Sequence, residues 1–247
     1  MGFFSSLFSS KKQVLEPFDL SIIGTDMHSH LIPGIDDGSR TMDETIAMLA
    51  KFESLGYKKV ITTPHIMNEV YPNGPESILG GLTKVQETAK SLGLSIEIEA
   101  AAEYYFDETL VEKIRNRSVL SFQEYVLVEF SFHSKPEYED QLFFEMQTAA
   151  YKPILAHFER YPYYHGSVEH AVHFKEKGVA IQLNLNSLTG HYGQGVKKQA
   201  ELLIDEGLVD FAATDCHRIQ HLMLLEEHLR NPYFHKLGEL NLLNKTL

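Results

Sequence analysis

Short apolar runs rich in Val and Ile alternate along this chain with segments whose apolar residues recur every three or four positions. The runs fall at 22–28, 58–63, 95–103, 125–130, 153–157, 179–185 and 209–214, and each is apolar enough to be buried on both faces, as parallel strands are. Between them lie helical patterns. Thr41-Met42-Asp43-Glu44 has the Thr-x-x-Glu form of a capping box, and Ile46, Leu49 and Phe52 follow before a stop at Gly56. Ile78, Leu82, Val85, Ala89 and Leu92 make one apolar stripe that ends at Gly93. Ser167 is placed to cap a segment carrying Ala171 and Phe174 that closes at Gly178, and Val196, Ala200 and Leu203 repeat the pattern before Gly207. Strand followed by helix, seven times over and without a Pro- or Ser-rich linker, predicts one α/β domain over 21–247. Its expected form is a closed or nearly closed (β/α)7 barrel, with an open doubly wound sheet as the alternative.

Composition narrows the class. The length of 247 residues suits one barrel. A formal net charge of −12 opposes nucleic acid, whose binding depends on Lys and Arg neutralising phosphates. A protein surface or a small substrate is the expected partner. Cys216 is the only cysteine, so no intramolecular disulfide can form and nothing argues for an oxidising compartment. No apolar run approaches the roughly 20 residues that span a bilayer. The start, MGFFSSLFSSKK, puts an apolar run before its lysines, the reverse of a signal peptide. We therefore expect a cytoplasmic protein with an N-terminal extension over 1–20. MGFFSS also fits the myristoylation pattern, which has meaning only in a eukaryotic host, and contact of this segment with a membrane is left open.

In a (β/α) barrel the C-terminal ends of the strands converge on one mouth, where chemistry sits. The first run ends His28-Ser29-His30, whose alternation points both imidazoles to one side. The second ends at His65, the third at Glu103, the fourth at Glu129 and the fifth at His157; the seventh ends at Asp215 and His217. Taken singly, each has an ordinary explanation as a solvated or hydrogen-bonded strand end. Together, five imidazoles and several carboxylates on one rim require cations to hold them. Neutral His with carboxylate is the ligand set of Zn, Mn or Fe rather than of Ca. So many ligands exceed what one tetrahedral ion can use, so two or three metals with a bridging carboxylate are expected.

The ordered motifs DMHSHLIPGIDDG, TTPH, AAEYYF, LVEFS, AHFERY and TDCH, spanning 26–217, resemble the polymerase and histidinol phosphatase (PHP) superfamily. Within it they resemble the bacterial protein-tyrosine phosphatases that regulate capsular and exopolysaccharide synthesis. That resemblance implies a distorted (β/α)7 barrel with a trinuclear site, commonly manganese, with iron, zinc or magnesium as alternatives. By position it implies that His28 and His30 bind one metal with Glu103 and Asp215, and that Glu103 bridges to a second shared with Glu129 and His157. Asp37, His65 and His217 hold the third. Asp37 is chosen over Asp36 because the family ligand directly precedes the glycine; Asp36 then supports the ligands or the loop. Arg160 matches a family arginine that grips the phosphate. A second family arginine falls at Leu222 here, and Arg218 is the candidate to replace it from a different place.

The expected reaction is hydrolysis of phosphotyrosine by a hydroxide bridging two cations, on a partner that the resemblance identifies as the tail of a bacterial tyrosine kinase. Tyr104, Tyr105, Phe130 and Tyr161 flank the candidate ligands, either lining a pocket for an aromatic ring or packing the mouth. A cysteine-dependent mechanism is excluded, because the sixth residue after Cys216 is Leu222 rather than Arg. GHYGQG has its glycines in the wrong order for a dinucleotide loop and is read as a flexible connection. Two other classes stay open: another metallohydrolase on this barrel, such as a histidinol-phosphate phosphatase, and a non-catalytic binding module. An amidohydrolase fits less well, since no strand end offers a lysine to carry a bridging carbamate.

Overall fold

The computed structural model describes residues 15–247. Its strands are short and fall on the predicted runs from 58 onward or just past their ends: β1 (Lys59–Thr62), β2 (His65–Ile66), β3 (Glu97–Ala100), β4 (Glu103–Tyr105), β5 (Tyr125–Glu129), β6 (Lys152–Leu155), β7 (Ala180–Asn184) and β8 (Phe211–Ala213). Every ladder is parallel; β1 pairs with β3, and β2-β4-β5-β6-β7-β8 form one sheet. Two predicted runs are each broken in two. Pro64 has no N–H for a ladder, so β1 stops before it and β2 resumes after it. The pairing nevertheless continues across the gap, with Ala101 N–H donating to Thr62 O at 2.9 Å and Glu103 N–H to Pro64 O at 3.2 Å. Each broken run is therefore one stave of the barrel.

The first predicted strand, 22–28, is not a strand. Leu20–Ile22 is a 3-10 turn whose Ser21 N–H is taken by Asp19 Oδ1 at 2.9 Å, and Gly24 adopts φ 96°, a value open to glycine. Only beyond it does the chain join the ring, through isolated bridges from Asp26 to Val60 and from Ser29 to Cys216. Thr63 N–H donates to Ser29 O at 2.7 Å, His30 N–H to Cys216 O at 2.9 Å and Asp215 N–H to His28 O at 2.9 Å. These bonds close the sheet on itself. The fold is α/β, a distorted (β/α)7 barrel of seven staves, the first held by bridges alone.

An apolar floor fills the barrel, built from Met27, Ile61, Ala101, Leu127, Ile154 and Phe211 with Ala213. Outside it pack α1 (Met42–Ser54), α2 (Pro75–Ser91), α3 (Glu108–Arg115), α4 (Glu139–Thr148), α5 (Glu169–Glu176), α6 (Gln194–Asp205), α7 (Ile219–His228) and α8 (Pro232–Gly238). Thr41 caps α1 as predicted, its Oγ1 accepting Glu44 N–H at 3.3 Å. The return bond of the capping box goes elsewhere: Glu44 Oε2 accepts from Arg40 N–H at 2.9 Å. Asn244 pins the C-terminus to the floor by donating to both Thr25 O and Ala212 O at 2.8 Å.

Residues 1–14, including the MGFFSS pattern, lie outside the described residues. The rest of the expected extension is packed. Phe18 and Leu20 are buried, Phe18 stacks on Phe234, and its N–H donates to Leu229 O at 2.9 Å, so the packed body begins before residue 21. No helix among the described residues is long and apolar enough to cross a membrane.

Candidate metal centre

Side chains alternate along a strand, so a stave that points one residue into the floor points its successor by two in the same direction. Ala101 and Leu127 lie in the floor, and two residues on stand Glu103 and Glu129 at the mouth. His157 and Asp215 then leave strand geometry, with φ of 31° and 49°. Such left-handed values cost a residue with a side chain of order 1–3 kcal/mol. They turn both side chains into the cluster.

All nine predicted ligands meet there. Glu103 Oε2 lies 3.2 Å from His28 Nε2, 3.4 Å from His30 Nε2 and 3.1 Å from His65 Nδ1, while its Oε1 is 3.1 Å from His157 Nε2. Asp215 Oδ1 is within 3.4 Å of His28, His30 and His217. Glu129 stands 3.7 Å from both His65 and His157. Asp37 Oδ1 faces His217 Nε2 at 3.4 Å and His65 Nε2 at 3.6 Å. Four overlapping groups have donor atoms within 4.8 Å of one another: His30, Asp37, His65 and His217; His28, His30 and Glu103; His28, His157 and Asp215; and His65, Glu103 and Glu129. Glu103 belongs to two of them. His65 Nδ1 and Glu103 Oε2 are buried yet neither has a hydrogen-bond partner, and buried polar atoms are rarely left so. Two such atoms 3.1 Å apart, neither hydrogen bonded, fit a shared divalent cation. The side chains of His28, His30, Glu103 and His157 are almost wholly buried, whereas Asp37 is 51% exposed. The cluster is closed at its floor and open on the side of Asp37 and His217.

A second layer orients these ligands. Asp36 Oδ2 accepts from His30 Nδ1 at 2.8 Å and from His65 N–H at 3.1 Å, and its Oδ1 accepts from Gly38 N–H at 2.9 Å. A Cβ on Gly38 would fall 2.3 Å from His30 Cβ, so only glycine fits. Asp-Asp-Gly thus divides its labour: Asp36 steers imidazoles, Asp37 faces the open side, and Gly38 lets the loop approach. Sequence reasoning missed Gln182, on the one stave assigned no ligand. Its Oε1 accepts His157 N–H at 2.7 Å and faces His28 Nδ1 at 3.1 Å. The backbone bond fixes which amide atom points there, so Nδ1 must carry the proton and Nε2 is left free to ligate. The signal was present as two polar residues, Gln182 and Asn184, spaced by two in an apolar run.

Arg160 reaches the cluster. Its Nη1 donates to Asp215 Oδ2 at 2.8 Å, and its guanidinium lies between the rings of Phe132 and Tyr192, 4.6 and 4.3 Å from their centroids. Tyr192 comes from GHYGQG, and its Oη accepts from Asn184 Nδ2 at 3.2 Å, so that loop carries a site residue rather than being a mere connection. Arg218 does not join the cluster. It is exposed and lines a separate crevice with Arg40 and Glu44, while Leu222 is buried in α7. Of the flanking aromatics, Tyr104, Phe130 and Tyr161 are buried packing residues, with Tyr161 Oη accepting Phe130 N–H at 3.0 Å; Tyr105 alone lines an open cavity. Cys216 is buried with its Sγ 3.6 Å from Met48 Sδ, and burial pushes its thiol well up.

Burial raises Glu129 well above the usual carboxylate range, with the charge on Glu103 adding to it. For Glu103 burial acts the same way, but the imidazoles of His28 and His65 outweigh it and hold the carboxyl well below its ordinary value. Burial likewise lowers His157, to about 4. His28 and His30 are shifted the other way, burial being outweighed by the carboxylates around them, so a cation entering the centre would have to displace protons from these imidazoles and from Glu129.

The family described as capsular polysaccharide synthesis, CpsB/CapC, matches residues 24–229. This chain belongs to the CpsB/CapC family. The CpsB/CapC match takes in every ligand candidate. The chain is 29% identical to the tyrosine-protein phosphatase YwqE of Bacillus subtilis over 197 residues, which cover 79% of this chain and 78% of that protein. It superposes with a TM-score of 0.75 and 27% identity on a crystal structure from work on YwqE and on CpsB of Streptococcus pneumoniae, described as metal-dependent tyrosine phosphatases. That match covers 85% of this chain and 90% of the other. A histidinol phosphate phosphatase of Lactococcus lactis shares the fold at a TM-score of 0.55 and 13% identity, over 89% of this chain and 95% of the other.

Proposed function

We propose that the chain is a metal-dependent protein-tyrosine phosphatase. In this reading His28, His30, Asp37, His65, Glu103, Glu129, His157, Asp215 and His217 hold two or three divalent cations, manganese foremost. The observation that carries it is Glu103, whose two oxygens stand among four imidazoles with one oxygen lacking any hydrogen bond. A carboxylate so placed suits two ions at once. The family match and the relatives named as tyrosine-protein phosphatases support the substrate class.

Bound cations supply an acidified water as nucleophile near neutral pH and positive charge against the phosphoryl oxygens. The chain's own residues do the rest. Asp37 and His217 border the open side, where a phosphorylated side chain can enter. Arg160 keeps Nη1 on Asp215 and offers its remaining N–H groups to the phosphoryl oxygens, its plane set by Phe132 and Tyr192. A tyrosine phenolate, with pKa about 10, leaves without a strong general acid. Cys216 takes no part, being buried against Met48.

The finer reading is that the substrate is phosphotyrosine in the flexible tail of a bacterial tyrosine kinase controlling polysaccharide export, in the cytoplasm. The deciding experiment compares kcat/KM on a phosphotyrosine peptide and on histidinol phosphate, using protein loaded with Mn and protein treated with a chelator. The peptide should be preferred, and only by the loaded protein. Preference for histidinol phosphate would move the chain to small-molecule metabolism, and turnover of neither would leave a binding module.

A further inference from the structure

We propose that a trough running outward from the mouth over the β2–α2 and β4–α3 turns holds the polypeptide flanking the phosphotyrosine and selects basic side chains there. The inference rests on the phosphoprotein reading above, because a tyrosine in a chain must bring its neighbours across the rim. Two cavities, of about 470 and 330 Å³, share Asp107 and Glu108 as walls and so form one continuous depression. The first lies next to the candidate metal centre: Tyr105, in its wall, is two residues beyond Glu103 and pairs in register with Glu129. The second ends at Tyr138.

Two properties fit this trough to a polypeptide. Val70 at one end and Tyr138 at the other are 58% and 73% exposed, large apolar surfaces left without cover at the ends of a concave path. Between them Glu69, Asp107 and Glu108 line the walls, and none of the three forms an ion pair among the described residues. Elsewhere on the surface Asp140 and Asp205 each have a cationic partner, and within the second cavity Arg115 is taken up by Glu145. Asp107 is occupied in part as the cap of α3, but Glu69 and Glu108 are free carboxylates facing an open channel. The other side of the mouth differs, because the crevice beyond Asp37 and His217 is lined by Arg40, which Glu44 pairs, and by Arg218, which forms no ion pair among the described residues. A basic flank therefore has one side to lie on and is repelled from the other.

The test uses the full chain loaded with Mn and three substrates: p-nitrophenyl phosphate, a phosphotyrosine peptide flanked by lysines, and the same peptide flanked by glutamates. The wild type should favour the lysine peptide in kcat/KM by roughly three- to tenfold, the scale of two exposed charge pairs, and the preference should shrink at high salt. The double variant Glu69→Lys/Glu108→Lys should abolish or invert that ratio while turning over p-nitrophenyl phosphate at the wild-type rate, which also reports that it folds. An unchanged peptide ratio in a variant that retains p-nitrophenyl phosphate turnover overturns the trough alone. If the wild type hydrolyses no aryl phosphate, the phosphatase reading fails and the trough with it.

Discussion

The floor and the mouth of this barrel are separated by two residues along the same strands, yet they obey opposite rules. The floor is apolar and is built largely from residues in ordinary strand geometry, such as Ile61, Leu127 and Phe211. The mouth packs five imidazoles and four carboxylates together and tolerates left-handed backbone at His157 and Asp215. An isolated chain would not choose that arrangement, since burying unpaired charge and straining backbone both oppose folding. The floor is what makes it possible: staves locked by packing below present the candidate ligands above in fixed places. Stability and chemistry are thus stacked along one axis.

That division can be broken experimentally. The largest effect should come from His65→Ala or Asp215→Ala, which remove a donor from the centre. Turnover of a phosphotyrosine peptide should fall beyond the roughly 10–100-fold that follows loss of a supporting partner, while circular dichroism stays that of the wild type. Near wild-type rates from either would contradict the metal assignment. Arg160→Ala should come next, lowering kcat/KM about 100-fold, the scale of losing one donor to developing charge, with metal content unchanged by elemental analysis. Gln182→Leu sharpens the boundary between the layers. It should weaken metal binding about 10–100-fold in a calorimetric titration, because His28 loses the acceptor that fixes its tautomer. Gln182→Glu retains an acceptor and should recover part of the loss; equal loss from both variants would reduce Gln182 to packing. Smallest in turnover is Phe211→Ala, in the floor. It should cost about 3–5 kcal/mol in denaturant unfolding and leave the folded fraction with wild-type kcat/KM.

Most of the barrel was legible because parallel strands covered on both faces are apolar runs, and helices between them show their stripe. The first stave was misread for a physical reason. Ile22 and Ile23 look like a buried strand, but Gly24 and the Asp19 cap make a turn there, and the stave that follows is held by only a few bonds to its neighbours. The nine candidate ligands were readable as one cluster because His, Asp and Glu at strand ends stand out against apolar surroundings. Gln182 was not, since a neutral amide within a strand looks like any half-buried residue until its partners are seen. Tyr192 was hidden for the opposite reason: its glycine-rich surroundings read as loop, and nothing local shows that a tyrosine there lies over Arg160. Arg218 was offered to replace the family arginine that falls at Leu222, but it stands exposed where the chain turns into α7, outside the cluster.

Ring closure joins the two extremes of the polypeptide, because His28 and Asp215 enter the same cluster and the bridge from Ser29 to Cys216 seals it. During synthesis the ribosome must therefore release the seventh stave before the first, already bridged to the second, has a neighbour on its other side. A nascent chain holds the first histidines of the cluster early, but the cluster is complete only when the ring closes near the end of translation.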